Sequence, residues 1–291
     1  SGVYTLAIDY GSSSILNSPY SLTVFPAATS VQTTVLSGLG LTESTAGVLG
    51  QFVIQARDQY SNVQRYFFGD GSAIFAVAFS GPSARTATLS AVRDSQYVAS
   101  YTITTAGSYS VSLSVTGDSS TRSWAFTAFP STLSLASSSV DEAALSMLHP
   151  ANLEILIPIN ARDSIGNIFP PPEISGELSE FRAEVLPEGK SAVVRNVGSK
   201  YTAIFNVTRS GSYSLDVYIG QSAFPTSPYA FNVGPGPLSA EATTASGFAL
   251  EGGLAGATVE VLVFPRDVYG NPILLASDSD VSMSISGGGD G

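Results

Sequence analysis

Side chains able to perform catalysis or to bind a transition metal are scarce in this sequence. It contains no cysteine and one histidine, His149, which excludes thiol nucleophiles and zinc sites built from cysteines or several histidines. His149 precedes Pro150 in a stretch that we interpret as an inter-repeat linker, and no Gly-x-Ser-x-Gly nucleophile motif accompanies it. We therefore expect an exposed histidine, no catalytic residues and no enzyme activity.

An Arg-Asp pair recurs at one position of a repeat, with Asp58, Asp163 and Asp267 as the acidic members. Calcium takes about six to eight oxygen ligands, and these turns lack clustered carboxylates, so we interpret them as structural turns. The acidic pair in Asp278-Ser279-Asp280 is interpreted as part of a solvated loop. The glycine-rich run 287–291 is not a phosphate loop, because no Lys-Ser/Thr follows it. We expect no metal and no cofactor.

The overall composition excludes two classes of partner. The net charge is −11, from 23 acidic and 12 basic residues, without a Lys/Arg cluster, which argues against binding to nucleic acid or anionic lipid. No stretch reaches the roughly 18 apolar residues of a membrane helix, so we expect no membrane insertion in this segment. The sequence has neither an initial Met nor a signal peptide, and we interpret it as an internal piece of a longer protein.

Two motifs recur three times in the same phase. A Gly-x-Tyr unit places Tyr4, Tyr109 and Tyr213 at spacings of 105 and 104 residues, and the three Arg-Asp aspartates follow the same spacings. A period near 100 residues is too long for a solenoid, whose repeats run to roughly 20–50 residues. It predicts one folding unit copied in tandem as small domains.

Alternation of hydroxyl-bearing and apolar residues predicts β-strands. The segments 108–115 and 212–219 alternate in this way, which is typical of strands with one buried and one solvated face. We predict an all-β fold of tandem immunoglobulin-like sandwiches, each seven-stranded and antiparallel, with less than ~10% helix. A short helical turn is predicted at 141–148. The other predicted strands are 4–8, 52–56, 74–79, 97–104, 154–160, 181–186 and 201–207.

The recurring motifs have predicted structural roles. The Gly-x-Tyr tyrosine is expected to bury its ring while its hydroxyl bonds a loop carbonyl, an arrangement called a tyrosine corner. The Arg-Asp aspartate, followed by Asn and usually Gly, predicts a self-hydrogen-bonded turn. One glycosylation sequon, Asn206-Val207-Thr208, falls inside the predicted strand 201–207, so we expect Asn206 to be unmodified.

These motifs resemble the immunoglobulin-like repeat of filamin, the rod domain of a cytoskeletal actin cross-linker. That family's closing strands run from Gly-x-Tyr to Ser-Pro-Phe/Tyr, as 2–20 and 211–229 do here, and its opening resembles 38–62. The middle copy departs from this pattern, with Ser123-Trp124-Ala125-Phe126 in place of Ser-Pro-Tyr. The resemblance implies the closing strands of a partial repeat at 1–27, complete repeats at 28–129 and 130–234, and the opening of a further repeat at 235–291.

The resemblance implies a non-enzymatic structural scaffold of cytoskeletal or axonemal type, whose partners are other proteins and the neighbouring repeats. The alternative is an extracellular adhesion stalk in cell–cell or gamete recognition, which low Lys, high Ser/Thr and the sequon suit. We expect a cytoplasmic location ahead of the cell surface. No calponin-like segment is present, so the resemblance does not imply actin binding.

In filamin-like repeats, an extended peptide adds a strand at the groove between the third and fourth strands. The resemblance therefore implies a strand-docking edge in each complete repeat of this chain. Its candidate residues are Ile74, Ala76, Ala78, Ala87 and Leu89 in one repeat, and Phe181, Ala183, Val185, Ala192 and Val194 in the other.

Overall fold

The structure, a computed structural model, describes residues 1–64, 75–92, 95–172, 180–274 and 282–286. The chain divides into two compact units, and the division does not follow the repeat boundaries. The first unit comprises Ser1–Leu133 together with Asp163–Phe169, and the second comprises Ser134–Arg162 with Pro170–Gly291. The turn Asp163–Phe169 therefore packs with residues of the preceding repeat.

The first unit is built from short β-strands and one 3₁₀ turn, Leu39–Leu41. The strands in chain order are β1 (Gly2–Leu6), β2 (Asp9–Tyr10), β3 (Ser13–Ser14), β4 (Tyr20–Val24), β5 (Val35–Ser37), β6 (Glu43–Thr45), β7 (Leu49–Gln55), β8 (Phe75–Ser80), β9 (Arg85–Thr86), β10 (Thr88–Ala91), β11 (Gln96–Thr102), β12 (Gly107–Val115) and β13 (Asp118–Phe129).

Two sheets of this unit form a sandwich. One has the order β10-β11-β7-β5 and the other β6-β13-β12-β8-β9. The opening strand is shared, because β5 pairs antiparallel with β7 while β6 pairs in parallel with β13, and the 3₁₀ turn carries the chain from one sheet to the other. Residues 1–27 form the separate pairs β1–β4 and β2–β3.

The alternating pattern of β12 explains the core. Tyr109, Val111, Leu113 and Val115 are buried, while the intervening serines face outward or are half-buried. Opposing aromatic rings fill the space between the sheets, and edge-to-face and tilted contacts such as these stabilise a core beyond the area they bury. The rings of Phe52, Phe79, Tyr101, Phe126 and Trp124 form these contacts, with centroids 4.5–6.4 Å apart.

The second unit repeats this architecture with one difference in pairing. Its described strands form a continuous sheet of order β14-β16-β19-β18-β17-β20-β22-β15, with β21 attached to β20, and a separate pair β23–β24. A 3₁₀ turn spans Phe248–Leu250. The elements are β14 (Ser139–Val140), α1 (Glu142–Ser146), β15 (Leu148–Pro150), β16 (Ile155–Asn160), β17 (Phe181–Leu186), β18 (Lys190–Val197), β19 (Lys200–Phe205), β20 (Gly211–Ile219), β21 (Ser222–Ala223), β22 (Tyr229–Gly234), β23 (Thr244–Ser246) and β24 (Leu262–Phe264).

The predicted all-β immunoglobulin-like fold is confirmed, with 51% strand and 4% helix. The predicted helical turn at 141–148 contains α1, which Asp141 caps by accepting the N–H groups of Ala143 and Ala144 at 3.1 and 3.4 Å. This helix lies between β14 and β15, which stand at opposite ends of the strand order, and not between repeats.

One expectation about a single residue is wrong, and the ground for another fails. His149 is not in a linker: it lies in β15, paired with Val233, half-buried, with a ring nitrogen 2.9 Å from the Ala144 carbonyl. The opening strand of this repeat is interrupted by α1, so its second part was misread as a connection. The ground for expecting an unmodified Asn206 also fails, because β19 ends at Phe205 and Asn206 is exposed beyond it.

Candidate functional site

The corner tyrosines of the two complete repeats share one geometry. The rings of Tyr109 and Tyr213 are 4% and 7% exposed. The Tyr109 hydroxyl donates to the Thr105 carbonyl at 2.7 Å, and the Tyr213 hydroxyl lies 3.0 Å from the Arg209 carbonyl. In both cases the acceptor lies four residues earlier, so the ring ties the start of its strand to the preceding loop. Tyr4, in contrast, is 52% exposed.

Asp163 organises its turn through both carboxylate oxygens. Its Oδ1 accepts the N–H groups of Ile165 and Asn167 at 3.0 and 2.8 Å. Its Oδ2 accepts the N–H of Ser131 at 2.9 Å and the Asn167 amide at 2.8 Å. The carboxylate is fully buried, so these four bonds replace its hydration. The turn is thereby fixed to the short connection near Ser131.

The same network recurs at Asp58 and Asp267. Each carboxylate bonds the N–H groups two and four residues later and the amide of the Asn four residues later, at 2.6–3.0 Å. Each also accepts the N–H of a connecting segment, Ala27 or Gly236, at 2.8 Å. The calcium reading is disfavoured by this geometry, because N–H donors already occupy both oxygens.

These hydrogen bonds determine the ionisation of the turn aspartates. Burial alone would raise the pKa of Asp58, but the Asn62 amide and the N–H groups of Ala27, Asn62 and Tyr60 outweigh it and lower the pKa to about 2. The pKa values of Asp163 and Asp267 are likewise lowered, because equivalent amide and backbone donors outweigh burial. The aspartates therefore act as anionic structural centres at neutral pH.

The described residues offer little for other chemistry. Within them, no three His, Asp or Glu side chains come together as a group able to hold a metal ion. No described helix is long and apolar enough to cross a membrane. Asp278, Asp280 and the run 287–291 lie outside the described residues.

The candidate docking edge of the second complete repeat lies along β17. Phe181, Ala183 and Val185 are buried core residues of this strand, as are Ala192 and Val194 of β18. The two strands pair with each other at Ala183–Ala192 and Val185–Lys190. An extended peptide could therefore add between them only by displacing β18.

The corresponding edge of the first complete repeat is covered less. Strand β8 pairs with β9 at Ala78 and Phe79, and the Ala87 N–H donates to the Val77 carbonyl at 3.0 Å. Ala76 is exposed, while Ala78, Ala87 and Leu89 are half-buried. Ile74 lies outside the described residues.

The sequence patterns did not predict that two aromatic side chains, Tyr101 and Trp124, hydrogen-bond the 3₁₀ turn of the first complete repeat. Tyr101 donates its hydroxyl to the Gly40 carbonyl at 2.5 Å, and the Trp124 indole donates to the Leu41 carbonyl at 2.7 Å. Glycine is required at Gly50, because a Cβ there would lie 2.4 Å from the Tyr101 ring. The middle copy therefore has a structural use for Trp124 where the family has Ser-Pro-Tyr. Its indole fixes the 3₁₀ turn through the Leu41 carbonyl, and β13 continues through this position without a break.

Comparisons with known proteins agree with this architecture. The Filamin/ABP280 repeat family matches residues 28–123, which confirms the resemblance for that segment; no curated protein matches the sequence. The adhesin FdeC of Escherichia coli is similar in structure, with a TM-score of 0.59, 17% identity and coverage of 86% of this chain and 78% of that one. InvD of Yersinia pseudotuberculosis gives a TM-score of 0.51, 18% identity and coverages of 84% and 73%. Invasin, a bacterial integrin-binding protein, gives a TM-score of 0.50 and 18% identity, with coverage of 79% of this chain and 44% of that one.

Proposed function

We propose that this chain is a segment of a non-catalytic, extracellular adhesion stalk, in which tandem sandwiches space and present binding surfaces for other proteins. The observation that carries this proposal is the extent of the similarity to FdeC, an adhesin, which spans 86% of the chain. The similarity therefore extends over more than one sandwich of this chain. Invasin, described as integrin-binding, adds support.

Surface chemistry supports the same proposal. The outward residues of β12 are all serines, and those of the adjoining β13 include Thr121, Ser123 and Ala125. Lys190 and Lys200 are the two lysines of the whole chain. A weakly charged, hydroxyl-rich face stays soluble by hydrogen bonding to water. The exposed sequon at Asn206 suits passage through a secretory pathway.

Immunolabelling tests this proposal in cells that express the parent protein. An antibody against residues 28–234 should label intact, non-permeabilised cells, and external protease should remove the signal. Labelling that requires permeabilisation would refute the extracellular role.

A cytoskeletal scaffold is the second candidate, and the Filamin/ABP280 match at residues 28–123 favours it. This role predicts that the protein is retained with the detergent-insoluble cytoskeleton. The two candidates are separated by fractionating the same cells: surface protease sensitivity supports the stalk, and detergent-resistant, protease-shielded protein supports the scaffold.

In either role, we propose strand addition at β8 of the first complete repeat, because the β9 pairing that protects it is two residues long. A bound partner should slow amide hydrogen exchange in β8 and leave β17, which β18 covers, unchanged. Slowing at neither strand would refute docking at this edge.

A further inference from the structure

Each Asp-x-x-x-Asn turn makes a contact that the turn itself does not need. The Asn side chain reaches back to the chain segment just before a Gly-x-Tyr motif, where its Oδ1 accepts a hydrogen bond from the nitrogen of a residue 61 positions earlier. At Asn167 and Asn271 the donor is a backbone N–H, and at Asn62 it is the terminal ammonium group of Ser1. The same sequence separation at every turn points to one repeated mode of contact. The pairs are Asn62 with Ser1, Asn167 with Ala106 and Asn271 with Ser210, at 2.5, 2.9 and 2.9 Å.

The Asn167 side chain uses its oxygen and both of its N–H donors in bonds to protein. One Nδ2 hydrogen bonds Asp163 at 2.8 Å, and the other bonds the Thr104 carbonyl at 3.0 Å. Together with the bond from Ala106, the amide thus pairs with the C=O of one residue and the N–H of the residue two positions later. A neighbouring parallel strand offers its backbone in this pattern. Among side chains of this size, only a carboxamide has both the donors and the acceptor.

We call the contact between a turn and the segment that its Asn reaches a junction. The junction at Asn271, in the second unit, repeats the carboxamide contact of Asn167. The Asn271 Nδ2 lies 2.7 Å from the Thr208 carbonyl and 2.6 Å from Asp267. The separation between Asn271 and Thr208, 63 residues, equals that between Asn167 and Thr104. We call Thr104–Ala106 and Thr208–Ser210 the closing-end segments.

A second contact differs between the junctions. The residue two positions after the turn aspartate is Ile165 in one and Tyr269 in the other. Ile165 lies against Gly47, where a Cβ would be 3.3 Å from its Cδ1. The Tyr269 hydroxyl donates to the Asn152 side chain at 2.8 Å.

Gly47 and Asn152 occupy equivalent places in the fold. Both have positive φ, 80° and 67°. Both donate their N–H, at 2.7 Å, to the carbonyl of a residue just beyond β11 or β19, Ile103 or Val207. The junctions therefore share one position but fill it with an Ile–Gly pair or a Tyr–Asn pair.

We propose that the closing-end segment of each repeat is a docking surface whose occupant is the Asp-x-x-x-Asn turn of the repeat that follows. The Asn carboxamide is the shared recognition element, and the pair at Ile165–Gly47 or Tyr269–Asn152 makes each junction specific. The grouping of Asp163–Phe169 with the first unit supports this, because the turn packs with the surface that it occupies. This inference is independent of whether the protein is extracellular.

The shared element is tested on the full chain by amide hydrogen exchange. Asn167→Ala should accelerate exchange at the Ala106 amide about fivefold, the usual effect of losing one hydrogen bond, and leave Leu113 in β12 unchanged. Asn167→Asp keeps the acceptor but loses both N–H donors, so it should accelerate Ala106 as well. The matched control is Asn232→Ala, which removes an exposed strand asparagine bonded to the Ser212 hydroxyl and should leave Ala106 unchanged. Unchanged exchange at Ala106 in both Asn167 variants would refute the docking role.

The specific element is tested by transplanting one junction's pair into the other. Gly47→Asn alone should crowd Ile165 and accelerate exchange at Ala106, since the space at residue 47 is already tight. Adding Ile165→Tyr recreates the Tyr–Asn pair, so the double variant should exchange at least about threefold more slowly than the product of the single effects predicts. Multiplicative single effects would show that this pair carries no specificity, and unequal global unfolding would be visible at Leu113.

Discussion

The tyrosine corner of the first complete repeat can be tested selectively because the chain has a single tryptophan. Trp124 is partly buried against the core of that sandwich, so its fluorescence reports the unfolding of this sandwich. Tyr109 packs on Phe126 with ring centroids 6.1 Å apart and bonds the Thr105 carbonyl at 2.7 Å. Ring and hydroxyl can thus be removed separately.

The two substitutions should differ severalfold in cost. Tyr109→Ala removes a ring that is 4% exposed and should destabilise the repeat by ~3–5 kcal/mol. Tyr109→Phe removes one hydrogen bond and should cost about 1 kcal/mol. With a urea m-value of about 1.5 kcal/mol/M, typical for a small domain, the fluorescence midpoint should fall by about 2–3 M for Ala and by less than about 1 M for Phe.

The second repeat provides the matched control. Tyr213→Ala should lower the far-UV circular dichroism transition of its own sandwich and leave the Trp124 transition in place. Tyr4→Ala, at a residue 52% exposed, should change stability by less than about 0.5 kcal/mol. Equal destabilisation by Tyr109→Phe and Tyr109→Ala would refute the reasoning, because the ring would then contribute nothing to the core.

Three further predictions concern acid, packing and modification. The pKa of Asp58 is lowered to about 2, so its stabilisation is complete above the unfolded pKa near ~4 and is lost as pH falls toward 2. The urea midpoint reported by Trp124 should fall over that range, and fall less in Asp58→Asn. Gly50→Ala should cost ~1–3 kcal/mol by overpacking, because the new Cβ would lie 2.4 Å from the Tyr101 ring; an unchanged urea midpoint would contradict this close fit. Expressed through a eukaryotic secretory pathway, the protein should carry one N-glycan at Asn206, seen as a mass shift that glycosidase treatment or Asn206→Gln removes; the unglycosylated mass in secreted wild-type protein would contradict this.

Local patterns in the sequence specify much of the fold. Alternation along 108–115 predicts which side chains of β12 enter the core, because side chains of a strand point to opposite faces in turn. The Gly-x-Tyr and Arg-Asp motifs hold one phase over three copies, and that regularity predicts tandem sandwiches. The turn geometry at Asp163 also follows locally, since an aspartate bonds the N–H groups of the next few residues.

The same patterns do not predict which strands pair with each other at the edges of a sheet. β17 pairs directly with β18, whereas the equivalent chain in the first repeat divides into β9 and β10, which join different sheets. Alternation does not distinguish these outcomes, because it defines the buried face of a strand but not its neighbour. The misreading of His149 has a similar origin: β15 is three residues long and is stabilised by pairing with β22, some 84 positions away.

The sequence by itself determined the repeat, the fold class and the internal bonds of the turns, because these depend on residues close together in the chain. The tertiary structure decided what the turns contact. The Asn167 carboxamide bonds Thr104 and Ala106, more than sixty residues earlier, and folding of a whole sandwich is required to bring these groups together. A side-chain amide satisfies two backbone groups there only when both chain segments are already fixed, so the junction is a property of the assembled domains.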